Sequence, residues 1–265
     1  TLLLDRRPEV LLANDVGNSS TVVGTLLGDE VRHHWRLSTH ADETADELAL
    51  KLAGLLRFVG LDLSTDIDGA IVSSVVPHVT ETLRQLADRY LREPLLVVEP
   101  GVRTGLALRV DNPREIGADR IANAVAAYAL YGGPAIVVDF GTATSFDVVD
   151  GQGQFVGGAI APGVSTSADA LVRRAARLPR VETIAPPAAI GRSTVTALQS
   201  GIVFGAAGQV DALVERISRE LGPGVTTVAT GGLASAVLDA CRSIDHHDPW
   251  LTLKGLSLVW AHNRP

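Results

Sequence analysis

One short phrase occurs twice in this chain. Asp15-Val16-Gly17-Asn18-Ser19-Ser20-Thr21 matches Asp139-Phe140-Gly141-Thr142-Ala143-Thr144-Ser145 at a constant offset of 124 residues. Each copy follows an apolar run, Leu11 to Ala13 and Ala135 to Val138, and each precedes a second run that ends in a glycine turn, Gly28-Asp29 and Asp150-Gly151. Short apolar runs rich in β-branched residues read as buried strands. A carboxylate at the strand end, followed by glycine and small hydroxyl residues, places backbone N–H groups and hydroxyls beside a negative charge. That combination suits a polyphosphate and its metal ion, the amides and hydroxyls taking the phosphate and the carboxylate the cation. One such turn is a weak signal. Two copies half a chain apart imply a duplicated domain whose two turns face each other.

The length of 265 residues allows one large domain or two ordinary ones. With 46% hydrophobic and 20% charged residues the composition is that of a globular protein with a sizeable core. A net charge of −7 and a pI near 5.5 offer no electrostatic case for nucleic acid or an anionic membrane as partner. Cys241 is the single cysteine, so no intrachain disulfide forms, which fits a cytoplasmic location. No apolar run reads as long enough to span a bilayer. The first ten residues lack a signal-peptide pattern and read as a short extension.

Taken in order, Leu11 to Asp15, Thr21 to Leu27 and Val31 to Leu37 predict an antiparallel meander, with Asn14 a polar oddity inside the first strand. It would either contact the turn or be satisfied by neighbouring backbone. His33 and His34 point to opposite faces and cannot chelate one metal together. A helix from Thr44 (Leu48, Leu52, Leu55, Leu56), a strand over residues 68–76, a helix from Pro77 (Val79, Leu83, Leu86, Tyr90) and a strand over residues 95–98 give an α/β alternation. Turn signals cluster over residues 99–113. We place the extension at residues 1–10, the first domain at 11–114 and the second at 115–265.

The second half opens on a helix from Ile116 to about Leu130, with Asp119 at its N-terminus, where an N-cap and a general base are both readings. Beyond the central turn come a strand over 154–160, the close-approach loop Ala161-Pro162-Gly163, a helix over 167–176 and the turn Ile190-Gly191-Arg192-Ser193-Thr194. A long helix carrying Gly201, Gly205 and Gly208 follows, and the glycines suggest that another backbone packs closely there, within the chain or from a second copy. A strand over 226–230 ends in Gly231-Gly232, bare backbone against which a base or ribose would lie. His246-His247-Asp248 has too few partners at usual spacing for a metal site and reads as a polar turn.

These stretches together resemble type III pantothenate kinase, a branch of the actin-like, hexokinase-like ATPases. The resemblance runs through Asp15-Val16-Gly17-Asn18, Ser73-Ser74-Val75-Val76-Pro77, Glu99-Pro100-Gly101-Val102, Asp111-Asn112-Pro113, Gly117-Ala118-Asp119-Arg120 and Asp139-Phe140-Gly141-Thr142-Ala143-Thr144. It continues through residues 157–163, Ile190-Gly191-Arg192-Ser193-Thr194 and Ala229-Thr230-Gly231-Gly232, in order, over nearly the whole chain. It implies an α/β fold of two duplicated actin-like (ribonuclease H-like) domains with mixed sheets and a nucleotide cleft. It implies ATP-dependent phosphorylation of pantothenate to 4'-phosphopantothenate, the first step of coenzyme A biosynthesis.

The same resemblance implies Asp119 as proton acceptor and Gly117, Ala118, Asp119, Arg120 and Thr194 as contacts of pantothenate. For ATP it implies Asp15, Val16, Gly17, Asn18, Ser19, Ser20, Thr21 and Val22 as a phosphate loop, with Thr142 a further contact. Asp139 would hold a monovalent cation, potassium or ammonium, and Asp15 would stand nearest to magnesium, through water. It also implies a homodimer. Ser19 stands where the family usually has threonine, and Asn14 where it has an apolar residue; neither removes a residue with an assigned role. The competing readings are a kinase of the same fold acting on another hydroxylated substrate, a phosphohydrolase, and a non-catalytic nucleotide-binding regulator. The acidic chain shows no basic patch that would favour a DNA-binding regulator.

Overall fold

The computed structural model describes residues 9–175 and 178–264. In chain order it contains β1 (Val10–Val16), β2 (Ser20–Leu27), β3 (Glu30–Ser38), α1 (Ala45–Arg57), β4 (Gly69–Ser74), α2 (Pro77–Tyr90), β5 (Leu95–Val97), β6 (Ala107–Leu108) and α3 (Ala118–Tyr131). The second half adds β7 (Ala135–Phe140), β8 (Ala143–Val149), β9 (Gln154–Pro162), α4 (Val164–Arg174), α5 (Thr194–Leu221), β10 (Thr226–Thr230), β11 (His246–His247) and α6 (Leu251–Asn263). Mixed sheets with helices make this an α/β fold.

The duplication is plain in the strand order. One sheet runs β3-β2-β1-β4-β5, and the other runs β11-β10-β7-β8-β9-β6. Read backwards and without β6, the second is β9-β8-β7-β10-β11, the same order as the first. In both, the strand bearing the key aspartate pairs antiparallel with the next strand and parallel with the one reached by a helical crossover. The copies differ by one residue at the turn. The Gly17 N–H donates to Ser20 O, whereas the Gly141 N–H donates to Ala143 O, so β8 starts one residue earlier than the repeat predicts.

The chain forms two compact units, and they are not two successive segments. One gathers the chain up to Gly105, Asn112–Ala126 and the residues from Thr252 onward; the other holds Leu106–Asp111 and Ala127–Leu251. This departs from a single cut between residues 114 and 115. The reason lies in the first unit's sheet, which has two apolar faces to cover. Leu12, Val23, Ala70 and Val72 on one face pack with Leu48, Leu52 and Leu56 of α1 and Leu83 and Leu86 of α2. The other face takes α6: a Cβ on Gly24 would lie 2.6 Å from Leu253 Cδ1, and one on Gly69 would strike the Trp260 ring. Gly255 of α6 in turn lets the Ala122 carbonyl of α3 approach. The last helix in sequence therefore belongs with the first sheet.

Local sequence explains the starts of α1 and α2. Thr44 and Glu47 form a capping box at α1, and Pro77 opens α2. Tyr90 does not line the core of α2; it is exposed, and its hydroxyl donates to Asp46. α4 starts three residues before the expected helix, whose expected end at Ala176 lies outside the described residues. α5 is long and apolar enough, by length and composition, to cross a membrane, which the sequence reading did not anticipate. Its Val203, Ala207, Val210 and Val214 stripe packs with Ile136, Val138, Phe140 and Phe146 in the second unit's core. A Cβ on Gly201, Gly205 or Gly208 would meet nothing within 4 Å, so no backbone among the described residues explains those glycines.

Candidate active site

Asp15 stands at the last-but-one position of β1, half-buried, opposite Val22 on one side and Ser73 on the other. The Ser73 hydroxyl donates to Asp15 Oδ1 at 2.7 Å, which fixes the carboxylate orientation. Asp15 shares the α6-facing side of the sheet with Ala13, because Gly24, the partner of Ala13, presents that side to Leu253. Beyond it the turn exposes Asn18 and Ser19. Thr39 straps this turn from outside: its hydroxyl donates to Gly17 O at 2.8 Å and its N–H to Ser19 O at 3.2 Å. A single hydroxyl proton means that the Thr21 hydroxyl donates to Thr39 Oγ1 across their 3.0 Å contact. Arg36 Nη1 donates to Ser20 Oγ at 3.1 Å.

Asn14 faces the opposite side of the sheet from Asp15. It is only 2% exposed and lines a cavity of about 20 Å³ with Thr21, Thr39, Glu43 and Thr82. Ser73, Thr39 and Arg36 were not singled out from sequence. Ser73 lies in a quoted motif, but only the β1–β4 register shows its partner; Thr39 and Arg36 carry no local pattern.

Asp119 occupies the first turn of α3, where negative side chains are favoured. It is not the N-cap. Gly117 takes that place, its carbonyl accepting from the Ile121 N–H at 3.2 Å. The Asp119 carboxylate bends back to accept the Arg120 N–H at 2.8 Å. A Cβ on residue 117 would collide with Asp119 Oδ1, so glycine there is what allows this carboxylate position. Asp15 to Val22 and Gly117 to Arg120 all belong to the first unit.

In the second unit Asp139 repeats the position of Asp15, between Ser145 of β8 and Thr230 of β10. Gly231 has φ +94°, and a Cβ there would strike Asp139 Oδ1 and lie 2.6 Å from Phe140 N. Glycine at 231 thus leaves the side-chain space that Asp139 fills. Thr142 is exposed at the turn, and its carbonyl accepts from Thr166 Oγ1 at 2.7 Å and the Gly163 N–H at 3.2 Å. Thr194 is exposed at the first position of α5, just after Ser193, whose hydroxyl caps the helix through the Thr196 N–H. His246 stacks on Tyr131, and Asp248 accepts from Trp250 N, so that triplet is tied into local packing.

Each aspartate has hydroxyl-bearing cross-strand neighbours, Ser73 for Asp15 and Ser145 and Thr230 for Asp139, oxygen groups of the kind that hard cations prefer. Among the described residues no group of three or more His, Cys, Asp or Glu side chains gathers to hold a metal by itself. A cation here would share its coordination with phosphate and water, as magnesium commonly does.

Residues 11–216 match the family described as type III pantothenate kinase. The chain belongs to the type III pantothenate kinase family. It is 52% identical over 261 residues to a type III pantothenate kinase of Streptomyces avermitilis, covering 96% of this chain and 98% of that one. The corresponding protein of Salinispora arenicola is 51% identical over 255 residues, covering 96% and 100%. Among solved structures, the activator of 2-hydroxyisocaproyl-CoA dehydratase from Clostridium difficile, with bound ADPNP, aligns with a TM-score of 0.54 at 12% identity, covering 96% of this chain and 94% of that one. That likeness speaks for the fold alone, the actin-like duplicated architecture expected from sequence.

Proposed function

We propose that this chain transfers the terminal phosphoryl group of ATP to the primary hydroxyl of pantothenate, the first step of coenzyme A biosynthesis, with Asp119 as the general base. The hydroxyl oxygen bonds to the γ-phosphorus, the bond to the β–γ bridging oxygen breaks, ADP leaves, and the hydroxyl proton passes to the Asp119 carboxylate. Gly117, Ala118 and Arg120 line the acceptor, with Arg120 offering a fork for its carboxylate, and Thr194 is a further contact. The turn from Asp15 to Val22 and Thr142 hold the phosphates. Magnesium near Asp15 and a monovalent cation at Asp139 would supply charge neutralisation when bound. Phosphoryl transfer depends mainly on positioning and charge, which suits a site of amides, hydroxyls and carboxylates.

The observation that supports this reading most is Gly117 making room for a bent-back carboxylate in the first turn of α3, in a chain that belongs to this family. We place the enzyme in the cytoplasm as a homodimer, with α5 at or near the contact; the open glycines on that helix favour it. The test is ADP formation with magnesium-ATP and pantothenate, in potassium or sodium as sole monovalent cation, beside Asp119→Asn. Pantothenate-dependent turnover that requires potassium and collapses in the variant supports the proposal. A folded protein that binds ATP yet turns over no pantothenate in either salt overturns it.

A further inference from the structure

We infer that Arg36 is a phosphate-binding residue of the nucleotide site, supplying from β3 the positive side chain that the turn between β1 and β2 does not contain. The inference rests on the reading of residues 15–22 as the phosphate loop. The register carries it first. Arg36 pairs with Val22, and Val22 pairs with Asp15, which pairs with Ser73. Directly paired residues project from the same face of a sheet. Arg36, Val22, Asp15 and Ser73 therefore form one row across β3, β2, β1 and β4.

The side chain carries it second. Arg36 Nη1 donates to Ser20 Oγ at 3.1 Å, which brings the guanidinium to the hydroxyl end of the turn. That single bond uses one of five donors. Arg32, on the same strand, is neutralised by Glu30 at 2.9 Å, yet among the described residues Arg36 has no carboxylate partner, in a chain with 30 acidic residues. The side chain is exposed, so its remaining N–H groups reach an arriving ligand. A planar fork of donors beside a hydroxyl-rich turn is the chemistry that recognises a terminal phosphate. Lysine would not reproduce the two-point geometry. Arg36 thus neutralises charge on the β- or γ-phosphate at the first turn, where the loop itself offers only amides and hydroxyls.

The experiment compares the 265-residue chain with Arg36→Ala and Arg36→Lys. Steady-state kinetics give KM for ATP and for pantothenate, and calorimetry gives binding of AMP-PNP and of AMP. Arg36→Ala is expected to raise KM for ATP and Kd for AMP-PNP by about 10- to 100-fold, the loss of a charge-assisted bond. KM for pantothenate and Kd for AMP stay within about threefold, as a contact confined to the terminal phosphates requires. Arg36→Lys recovers part of the loss. Equal weakening of AMP-PNP and AMP would show that Arg36 only braces the turn through Ser20, and an unchanged AMP-PNP affinity would show that it does nothing there; either overturns the inference. Arg36-dependent AMP-PNP binding without pantothenate turnover keeps the inference and removes the acceptor. Pantothenate turnover with an unaffected Arg36→Ala keeps the function and removes the inference.

Discussion

Asp119 and Gly117 work as a pair, and so do Asp139 and Gly231. In each, a glycine leaves the space that a carboxylate oxygen fills. The two glycines differ in backbone. Gly231 has φ +94°, a conformation that side chains rarely adopt, whereas Gly117 is not among the positive-φ glycines. Gly117→Ala should therefore lower kcat by displacing the Asp119 carboxylate while leaving the melting temperature nearly unchanged. Gly231→Ala should lower both, with about 1–3 kcal/mol of strain added to the collision with Asp139. Thermal unfolding set beside steady-state kinetics separates the two. Asp119→Asn should reduce kcat by about 10²–10⁴-fold and leave ATP binding intact, because it removes proton acceptance and little volume. If Asp119→Asn retains wild-type kcat, another group accepts the proton.

α5 has two jobs along its length. Its buried stripe completes the second unit's core, and Asp211 ties it to the chain beyond. The Asp211 carboxylate accepts the Arg242 N–H at 2.9 Å, the Ser243 N–H at 3.0 Å and the Ser243 hydroxyl at 2.8 Å. Partial burial pushes its pKa up, but these bonds outweigh it and hold the carboxyl below its ordinary value. A folded pKa below the unfolded one gives stability that is present above the unfolded value and lost as pH falls through the folded value. Asp211→Asn should thus lower the melting temperature at pH 7, and its gap from wild type should close as pH falls below about 4. A gap that stays constant with pH would mean the carboxylate charge is irrelevant. Nearby, burial and then the Asp211 charge push the Cys241 thiol up to about 11, which leaves it a packing residue rather than a nucleophile. The exposed face of the same helix holds Gly201, Gly205 and Gly208. Gly205→Glu fits the free space within one chain, so a homodimer packed along that stripe should become a folded monomer in sedimentation, at unchanged melting temperature. A variant that sediments like wild type places the dimer contact elsewhere.

At the scale of the whole molecule, the two sheets are each built from five matching strands, but the chain does not close each unit within its own half. α6, last in sequence, buries Leu253, Leu256 and Val259 in the first unit, and its Ser257 hydroxyl donates to Gly28 O at 2.5 Å. A chain ending at residue 249 should therefore lose the fold of the first unit, seen as lost cooperative unfolding and lost nucleotide binding. Uncovering three large aliphatic side chains and the sheet beneath them costs several times the 1.5–3 kcal/mol of each, a large share of the stability of an ordinary domain. Retention of ATP binding by that truncated chain would contradict the role given to α6.

The repeated phrase around Asp15 and Asp139 was enough to predict duplication and the positions of both turns, and the alternation of strand and helix patterns to predict the α/β class, because periodicity and turn chemistry are local properties of sequence. The Thr44 capping box and Pro77 are local in the same way. The family resemblance supplied the assignment of Asp119, which the helix-start pattern alone could not separate from a cap. Other facts needed the tertiary structure. Ser73 meets Asp15 across 58 residues, Thr39 straps a turn 22 residues before it, and Trp260 fills the space above Gly69. Cross-strand register and helix docking set such contacts, and neither leaves a mark within a window of sequence. The same holds for Gly231, where the space of the missing Cβ is filled by the Asp139 carboxylate from the neighbouring strand.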